Sequence, residues 1–445
     1  MRIAIVGAGI SGLTAAFYLS RSRPDWELAV FDAAAEPGGT MQTASVAGFL
    51  FEAGGNGFLT NKPDTLRLVE DSGAQALLMR SSDLARRRFI YDGAAIHPLP
   101  ESPPAFRRSR LLTLPQKLRV LGEPFVPARR DGAEESLQQF GYRRVGRGLT
   151  DVFLDAMTAG IYGTTPTKVS VEAAFPLVVS LEREHGGLFR GMLARRKKGA
   201  GPGGVLMSFR GGVGTFITHL RESIQADWRL GSAVRSVARG NGGWQLATDR
   251  GEERFDRVVV AAQAHAAAAM FAGPDPALGH LLRTIDYTPI AVVGLGYRAL
   301  ARRLDGFGLL TTSAARAPVM GILWDSSIFP DRAPAGCQSL RVMIGGQRNP
   351  ELVDQDREGL LRTAVAGVER IMGITQAPDV DFVRRWDQGI PHYAVGHLGR
   401  VSAIFDHLAG LDGLHFVSNA YHGIAMNDCT RNGRELAERI LRECC

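Results

Sequence analysis

Residues 2–39 read RIAIVGAGISGLTAAFYLSRSRPDWELAVFDAAAEPGG, and this stretch decides the fold class. Its apolar start, RIAIV, is predicted to be a buried strand, and Gly7, Gly9 and Gly12 follow at the spacing G-x-G-x-x-G. In this pattern the first glycine permits a tight turn, the second lets the backbone approach a pyrophosphate, and the third lets helix and strand pack closely. Asp32 ends a second predicted strand at the distance that suits a carboxylate binding an adenosine ribose. The stretch therefore predicts a dinucleotide-binding domain.

Two later parts of the sequence favour FAD over NAD as the dinucleotide. Gly38–Thr40 and Phe51–Phe58 supply further glycine turns, which place more backbone against a longer cofactor. Near the C-terminus, a strand over Leu414–Ser418 precedes a loop and a helix that is predicted from about Asp428. The N-terminal dipole of that helix would stabilise the anion of a reduced flavin. An ordinary packing helix is the alternative, because the apolar residues of this segment also recur at helical spacing.

Length, charge and cysteine content limit the class of protein. A chain of 445 residues predicts two or three domains, and its net charge of +7 suits an acidic ligand, an anionic membrane surface or nucleic acid. The four cysteines form no CxxC pair, so we expect neither a disulfide framework nor a metal site. We expect a reduced, cytoplasmic protein with no signal peptide and no membrane-spanning segment.

The chain is predicted to be α/β, with a Rossmann-like FAD-binding domain that is discontinuous, formed by residues 1–80, 205–285 and 395–445. Residues 286–394 alternate apolar and polar side chains, which predicts an antiparallel sheet roofing a substrate cavity. Residues 81–204 are predicted to be a helical, basic insertion that ends in a flexible GPGG joint at 201–204. Its arginines alternate with leucines, which suits an anionic substrate or peripheral contact with a membrane. Nucleic acid is disfavoured, because no compact recognition module accompanies the charge.

Five segments, in this order along the chain, resemble the oxygen-dependent protoporphyrinogen and coproporphyrinogen oxidases of the FAD-dependent amine oxidase superfamily. They are AGIYGTTPTKVSVEAAFPLVVSLEREHGGLFRGM (159–192), DGFGLL (305–310), GILWDSSIFPDRAPAG (321–336), MIGGQRNP (343–350) and GIPHYAVGHLGR (389–400). The resemblance covers essentially the whole chain. It implies FAD, O2, haem biosynthesis and the oxidation of a porphyrinogen to a porphyrin with hydrogen peroxide as by-product.

The resemblance also implies a set of site residues. For the substrate these are Gly160, whose backbone would face a pyrrole, with Phe329, Leu310 and Leu295 lining the macrocycle. For FAD they are Gly7, Ala8, Gly9, Ile10, Ser11, Gly12, Asp32, Ala33, Thr40, Gly54, Gly55, Asn56, Gly57, Val234, Trp386, Ile424, Ala425 and Met426. No catalytic side chain is assigned, because hydride transfer to the flavin needs orientation more than a strong base.

Some positions depart from the family pattern, and the histidines give little indication of a function. Many relatives carry Glu where this chain has Asp32, and the Arg that follows a Leu-Pro in mitochondrial and plant members is missing after Leu99-Pro100. Arg107 or Arg108 could replace that propionate anchor. His392 and His397 have poor spacing for a metal, and His422 could shuttle a proton or be purely structural.

Several alternatives stay open at this point. Protoporphyrinogen IX is the preferred substrate in this interpretation, with coproporphyrinogen III as the runner-up because the missing Arg loosens the argument for one anchored propionate. An amine oxidase or related flavin desaturase would share the FAD signals but not the middle segments. A porphyrin- or membrane-binding scaffold with a purely structural FAD is a third possibility. A monomer and a homodimer are both compatible with the sequence.

Overall fold

The computed structural model describes residues 1–197 and 204–444. The predicted joint at 201–204 and the end of the basic run ARRKKG at 194–199 therefore lie largely outside the described residues. The strands are, in chain order, β1 (Arg2–Val6), β2 (Glu27–Phe31), β3 (Thr43–Val46), β4 (Phe49–Glu52), β5 (Phe58–Leu59), β6 (Leu78–Arg80), β7 (Arg88–Tyr91), β8 (Ile96–Pro98), β9 (Leu206–Phe209), β10 (Asp227–Arg229), β11 (Val234–Gly240), β12 (Gly243–Thr248), β13 (Gly251–Phe255), β14 (Arg257–Val260), β15 (Tyr287–Tyr297), β16 (Gly308–Thr311), β17 (Val319–Leu323), β18 (Gln338–Gly345), β19 (Val380–Pro391) and β20 (Leu414–Phe416).

The α-helices connect these strands and also form an insertion between β8 and β9. They are α1 (Ile10–Ser22), α2 (Asp64–Asp71), α3 (Pro103–Arg108), α4 (Leu114–Leu121), α5 (Leu137–Arg144), α6 (Arg147–Leu149), α7 (Asp155–Tyr162), α8 (Val171–Ala174), α9 (Pro176–His185), α10 (Leu188–Lys197), α11 (Val213–Ser223), α12 (Ala264–Met270), α13 (Pro276–Arg283), α14 (Asp325–Ile328), α15 (Arg357–Met372), α16 (His397–Leu408) and α17 (Met426–Glu443). The fold is α/β.

A five-stranded parallel sheet forms the first layer, with the strand order β10-β2-β1-β14-β20. Ile3 and Ile5 of β1 face one core with α1 and α17, whereas Ala4 and Val6 face a second core on the other side. Both faces of β1 are therefore covered, which explains why its residues 3–6 are all apolar rather than alternating. β1, near the N-terminus, and β20, near the C-terminus, both belong to this sheet, with β14 between them.

A seven-stranded sheet forms the second layer, in the order β19-β15-β18-β17-β16-β7-β8. The expectation of an antiparallel sheet confined to residues 286–394 needs correction, because β7 and β8 come from the segment assigned to the helical insertion. β7 pairs in parallel with β16 through Arg88–Gly308 to Tyr91–Thr311, so the sheet is mixed. Pairing between segments more than 200 residues apart leaves no local signal in short strands such as these.

The insertion, residues 99–197, carries helices α3–α10, and some of its arginines form ion pairs with glutamates of the same insertion. Arg144 and Glu123 form an ion pair whose side chains are both fully buried. Arg143 binds Glu182 at 2.5 Å and Glu135 at 2.7 Å. These arginines are therefore neutralised inside the insertion, and only the remaining basic residues are available to an anionic partner. Among the described residues, no helix is long and apolar enough to cross a membrane.

Candidate active site

A cavity of about 1000 Å³ opens between the two sheets and reaches from the carboxyl end of β2 to α7. In parallel α/β sheets, ligands bind at the carboxyl ends of the strands, which is where this cavity begins. The cofactor residues expected from the sequence that line it are Gly7, Gly9, Ile10, Ser11, Asp32, Ala33, Thr40, Gly55, Gly57, Val234, Trp386, Ile424, Ala425 and Met426. Ala8, Gly12, Gly54 and Asn56 belong to the same loops without lining the cavity.

Asp32 is held at the end of β2 by two backbone donors. The N–H of Ala8 donates to Asp32 Oδ2 at 2.7 Å, and the N–H of Ala34 donates to Oδ1 at 2.8 Å. These bonds tie the glycine loop to the end of the second strand, and each carboxylate oxygen keeps a lone pair for a further donor. The side chain of Asp32 is therefore long enough to contact the glycine loop.

The glycine loop leaves the N-terminus of α1 open to the cavity. A Cβ on Gly12 would lie 2.1 Å from the carbonyl oxygen of Gly7, so only glycine lets helix and loop approach this closely. A Cβ on Gly9 would meet no protein atom within 4 Å, because that position faces open space. No side chain caps the first turn of α1, so its N–H groups are free for an anion such as a pyrophosphate.

The loop over residues 53–57 runs along the opposite side of the cavity. Trp386 Nε1 donates to the carbonyl oxygen of Ala53 at 2.7 Å, and Arg341 donates to that of Gly54 at 2.8 Å. Both amide atoms of Asn56 are buried without a hydrogen-bond partner. A buried amide without partners is costly, but Asn56 does not line the cavity, so its amide is not evidence for a ligand there. The open space at Gly9, beside the uncapped start of α1, fits a bound dinucleotide.

The C-terminal loop and the start of α17 also line the cavity. α17 begins at Met426, slightly earlier than predicted, and Lys62 Nζ binds Asp428 Oδ1 in its first turn at 2.7 Å. Cys429 lines the cavity, and burial raises the pKa of its thiol to about 11, so the thiol stays protonated. No side-chain cluster placed to hold a metal ion occurs within residues 1–197 and 204–444.

Sequence reasoning missed several lining residues, and one rule could have found most of them. The missed residues include Asn61, Lys62, Ser232, Ala261, Ala262, Gln263, Ser418 and Asn419. Those at 261–263 and 418–419 follow β14 and β20 directly, so they lie at the carboxyl ends of parallel strands. Asn61 and Lys62 follow the glycine turn at 54–57 and carry no comparable signal.

Gly160 lies near the end of α7 and lines the cavity with Ile161. Asp155 at the start of α7 binds Arg348 at 2.9 Å and accepts hydrogen bonds from the backbone and hydroxyl of Ser313, which fastens the helix to the mixed sheet. A Cβ on Gly160 would lie 2.8 Å from Leu310 Cδ1. The close approach that glycine permits here is therefore to Leu310, which packs behind the helix and does not line the cavity.

The structure does not bring the other two expected substrate residues to the cavity. Leu295 is fully buried with Ala291 and Val293 on the face of the mixed sheet that α15 covers. Since side chains alternate along β15, that face is opposite to the one that packs against Trp386. Phe329 is also fully buried, with the guanidinium of Arg332 over its ring at 5.0 Å. Both are core residues in this structure.

The histidines and the candidate propionate anchors also lie away from the cavity lining. His397 is buried against Tyr393, and burial lowers its pKa to about 4. His422 packs its ring against Phe405 at 5.1 Å. Arg107 and Arg108 are exposed on α3. The cavity lining contains two cationic side chains among the described residues, Lys62 and Arg235.

Residues 10–441 match the family of flavin containing amine oxidoreductases, so this chain belongs to that family. Because the match covers nearly the whole chain, the open glycine loop, Asp32 and the C-terminal helix are parts of one flavoenzyme fold. The protein is a flavin-dependent oxidoreductase, and its cofactor is FAD. Of the residues described above, those of the glycine loop, Asp32 and the others that line the cavity would hold FAD.

Within that family, the chain is similar to porphyrinogen oxidases along almost its full length. It is 25% identical to a coproporphyrinogen III oxidase of Bacillus subtilis (strain 168), over 97% of this chain and 96% of the relative. It is 29% identical to a chloroplastic protoporphyrinogen oxidase of Oryza sativa subsp. japonica, over 98% of this chain and 87% of the relative. A crystal structure from Exiguobacterium sp. 255-15, provisionally named a protoporphyrinogen oxidase, aligns with a TM-score of 0.88 and 26% identity over 99% of both chains.

Proposed function

We propose that this protein is an oxygen-dependent porphyrinogen oxidase of haem biosynthesis, with a Rossmann-like FAD-binding domain. The reaction removes six electrons and six protons from the porphyrinogen, and three O2 molecules accept them to give three hydrogen peroxide molecules. FAD supplies the redox chemistry, whereas the chain binds and orients the reactants. The observation that carries the proposal is the continuous cavity from Asp32 to Gly160, in a chain that matches porphyrinogen oxidases over 97–98% of its length.

The cavity supports orientation rather than acid–base catalysis as the chain's contribution. The lining includes Gly160, Ile161, Leu206 and Trp386, which offer apolar contacts to a large and mostly apolar macrocycle. Holding the reacting bridge carbon at the flavin supplies the geometric part of the rate enhancement. No titratable side chain is needed at the reacting carbon.

Protoporphyrinogen IX is the preferred substrate in this proposal. Of the two cationic residues in the lining, Lys62 is already paired with Asp428 and Arg235 lies beside Val234 at the nucleotide end. This charge suits a substrate with two propionates better than one with four. Coproporphyrinogen III is the second candidate, because the Bacillus subtilis relative carries that name.

We expect kcat/KM for protoporphyrinogen IX to exceed that for coproporphyrinogen III by up to about tenfold, or roughly 1.4 kcal/mol of transition-state discrimination. Initial rates with both substrates, in air and at one fixed salt concentration, measure this ratio. A tenfold preference for coproporphyrinogen III would overturn the choice.

Anaerobic mixing of the protein with candidate substrates tests the reaction class. A porphyrinogen should bleach the flavin, whereas bleaching by polyamines alone would select an amine oxidase. Flavin that no porphyrinogen reduces, and that air does not reoxidise after photoreduction, would favour a scaffold.

We also propose that the protein is cytoplasmic and rests on an anionic membrane surface through an exposed apolar face. This face consists of Leu114, Leu118 and Leu121 of α4 and the nearby Phe125, with exposed fractions of 60–86%. The three leucines recur at the spacing that places them on one side of a helix. Exposed arginines on the preceding α3 complement the charge of anionic headgroups. Apolar patches framed by charge in this way typically mark interaction surfaces.

Replacing Leu118 and Phe125 together by Asp is expected to weaken binding to vesicles containing anionic lipid by at least about tenfold. The change removes roughly 1.5–3 kcal/mol of burial per fully inserted side chain and adds repulsive charge. Co-sedimentation with vesicles of mixed neutral and anionic lipids measures the effect. Leu398→Asp, at an exposed leucine of α16, is the matched control and should bind as the unaltered protein does. Equal vesicle binding by the double variant would place any membrane contact elsewhere.

A further inference from the structure

Tyr393 stands behind the C-terminal loop that ends at the start of α17. Its hydroxyl donates to the carbonyl oxygen of Asn419 at 2.7 Å and accepts from the N–H of Gly423 at 2.7 Å. Asn419 lines the cavity, and so does Ile424, the residue after Gly423. One hydroxyl thus joins two points of the loop that borders the flavin end of the cavity.

The ring of Tyr393 is fixed on both sides, so the direction of its hydroxyl is fixed as well. The side chain is 1% exposed and stacks on His397, with ring centroids 3.9 Å apart and an interplanar angle of 17°. Its other neighbour is Tyr162, at 5.8 Å between centroids. Burial raises the pKa of Tyr393 well above its ordinary value, so the hydroxyl keeps its proton and remains a donor.

The neighbour Tyr162 connects Tyr393 to the part of the cavity lined by Gly160 and Ile161, which is called the substrate end below. Tyr162 is the last residue of α7, the helix that carries Gly160 and Ile161 to the cavity. The backbone carbonyl of Tyr393 also accepts a hydrogen bond from Ser170, in the segment after α7, at 2.8 Å. Tyr393 therefore packs between the loop at the flavin end and the helix at the substrate end.

We propose that Tyr393 is a positioning residue for FAD. The Tyr393 hydroxyl fixes the conformation of the loop over residues 418–424 and, through this loop, the position of the flavin ring. The two hydrogen bonds use the donor and one acceptor site of the hydroxyl, and they hold Asn419 and Gly423, near the two ends of this span. This inference goes beyond the proposed function, since it depends on the cofactor and not on the substrate.

Tyr393→Phe tests the proposal, with Tyr162→Phe as its matched control. The first variant leaves the carbonyl of Asn419 and the N–H of Gly423 without a partner. The second removes the hydroxyl of another buried tyrosine in the same aromatic cluster, but one that donates to Ala174 O at 3.1 Å, away from the loop. Tyr393→Phe is expected to raise the FAD dissociation constant about tenfold and to shift the visible circular dichroism and midpoint potential of the bound flavin. Tyr162→Phe should leave all three unchanged.

A Tyr393→Phe protein with the dissociation constant, spectrum and potential of the unaltered protein would overturn the proposal. So would equal shifts in both variants, since these would indicate general loosening of the cluster. If Tyr393→Phe does not fold, amide exchange at Gly423 in the unaltered protein decides instead. We expect slow exchange that FAD slows further, and exchange at the rate of an open loop in the FAD-loaded protein would exclude the bond. None of these measurements uses a porphyrinogen, so failure of the proposed substrate leaves the result interpretable.

Discussion

Replacement of Asp32 by Arg is expected to weaken FAD binding by at least about 100-fold while the chain still folds. The carboxylate accepts hydrogen bonds from the backbone N–H groups of Ala8 and Ala34, and its free lone pairs face the cavity where the ribose would lie. A hydrogen bond to a charged group contributes about 1.5–3 kcal/mol, and each 1.4 kcal/mol corresponds to about tenfold in affinity. Loss of two such hydrogen bonds between the carboxylate and the ribose accounts for the expected 100-fold loss of affinity.

Fluorescence titration of the apoprotein with FAD measures this effect, and circular dichroism checks that the fold is kept. Asp32→Asn retains an acceptor of similar size and should show a smaller loss. Asp25→Arg reverses an exposed carboxylate just before β2, whose neighbour is Arg23, and should bind FAD normally. An unchanged dissociation constant for Asp32→Arg would show that this carboxylate does not organise the nucleotide end of the site.

Replacement of Gly160 by Val is expected to lower kcat/KM for the porphyrinogen by about 100-fold, with FAD content close to that of the unaltered protein. Gly160 lines the cavity, and a branched side chain would collide with Leu310 and displace α7 with Ile161. A displacement of about 1 Å in a residue that positions the substrate can cost about 100-fold in rate. The cofactor contacts at Asp32 and α1 lie on other elements, so FAD should remain bound.

A pair of variants separates two reasons for a glycine at this position. In Gly160→Ala, the atoms nearest to the added methyl group belong to the side chain of Leu310, and Gly160→Ala with Leu310→Ala relieves that contact. If packing against Leu310 is the reason, the double variant should recover most of the activity lost by Gly160→Ala. If the macrocycle approaches the backbone of Gly160, the double variant should stay impaired. Normal turnover of Gly160→Val would place the substrate elsewhere.

Local sequence determined the nucleotide end of the site. The strand Arg2–Val6, the helix after the glycine loop and the acid at Asp32 follow from short-range rules, because turn geometry, helix packing and strand burial act over a few neighbouring residues. The helix before the C-terminus was also predictable, since its apolar residues recur with helical spacing. Membership of the flavoenzyme family was confirmed by the match over residues 10–441.

Tertiary structure alone decided the substrate end. β7 entered the mixed sheet by pairing with β16, a partner more than 200 residues away, and the face of β15 that carries Leu295 was set by the helix packed on it. The Tyr393 hydroxyl meets Asn419 and Gly423 only because β19 ends beside the C-terminal loop. The physical reason is the same in each case: these contacts join residues distant in sequence, and their register depends on how whole elements pack, which no local pattern encodes.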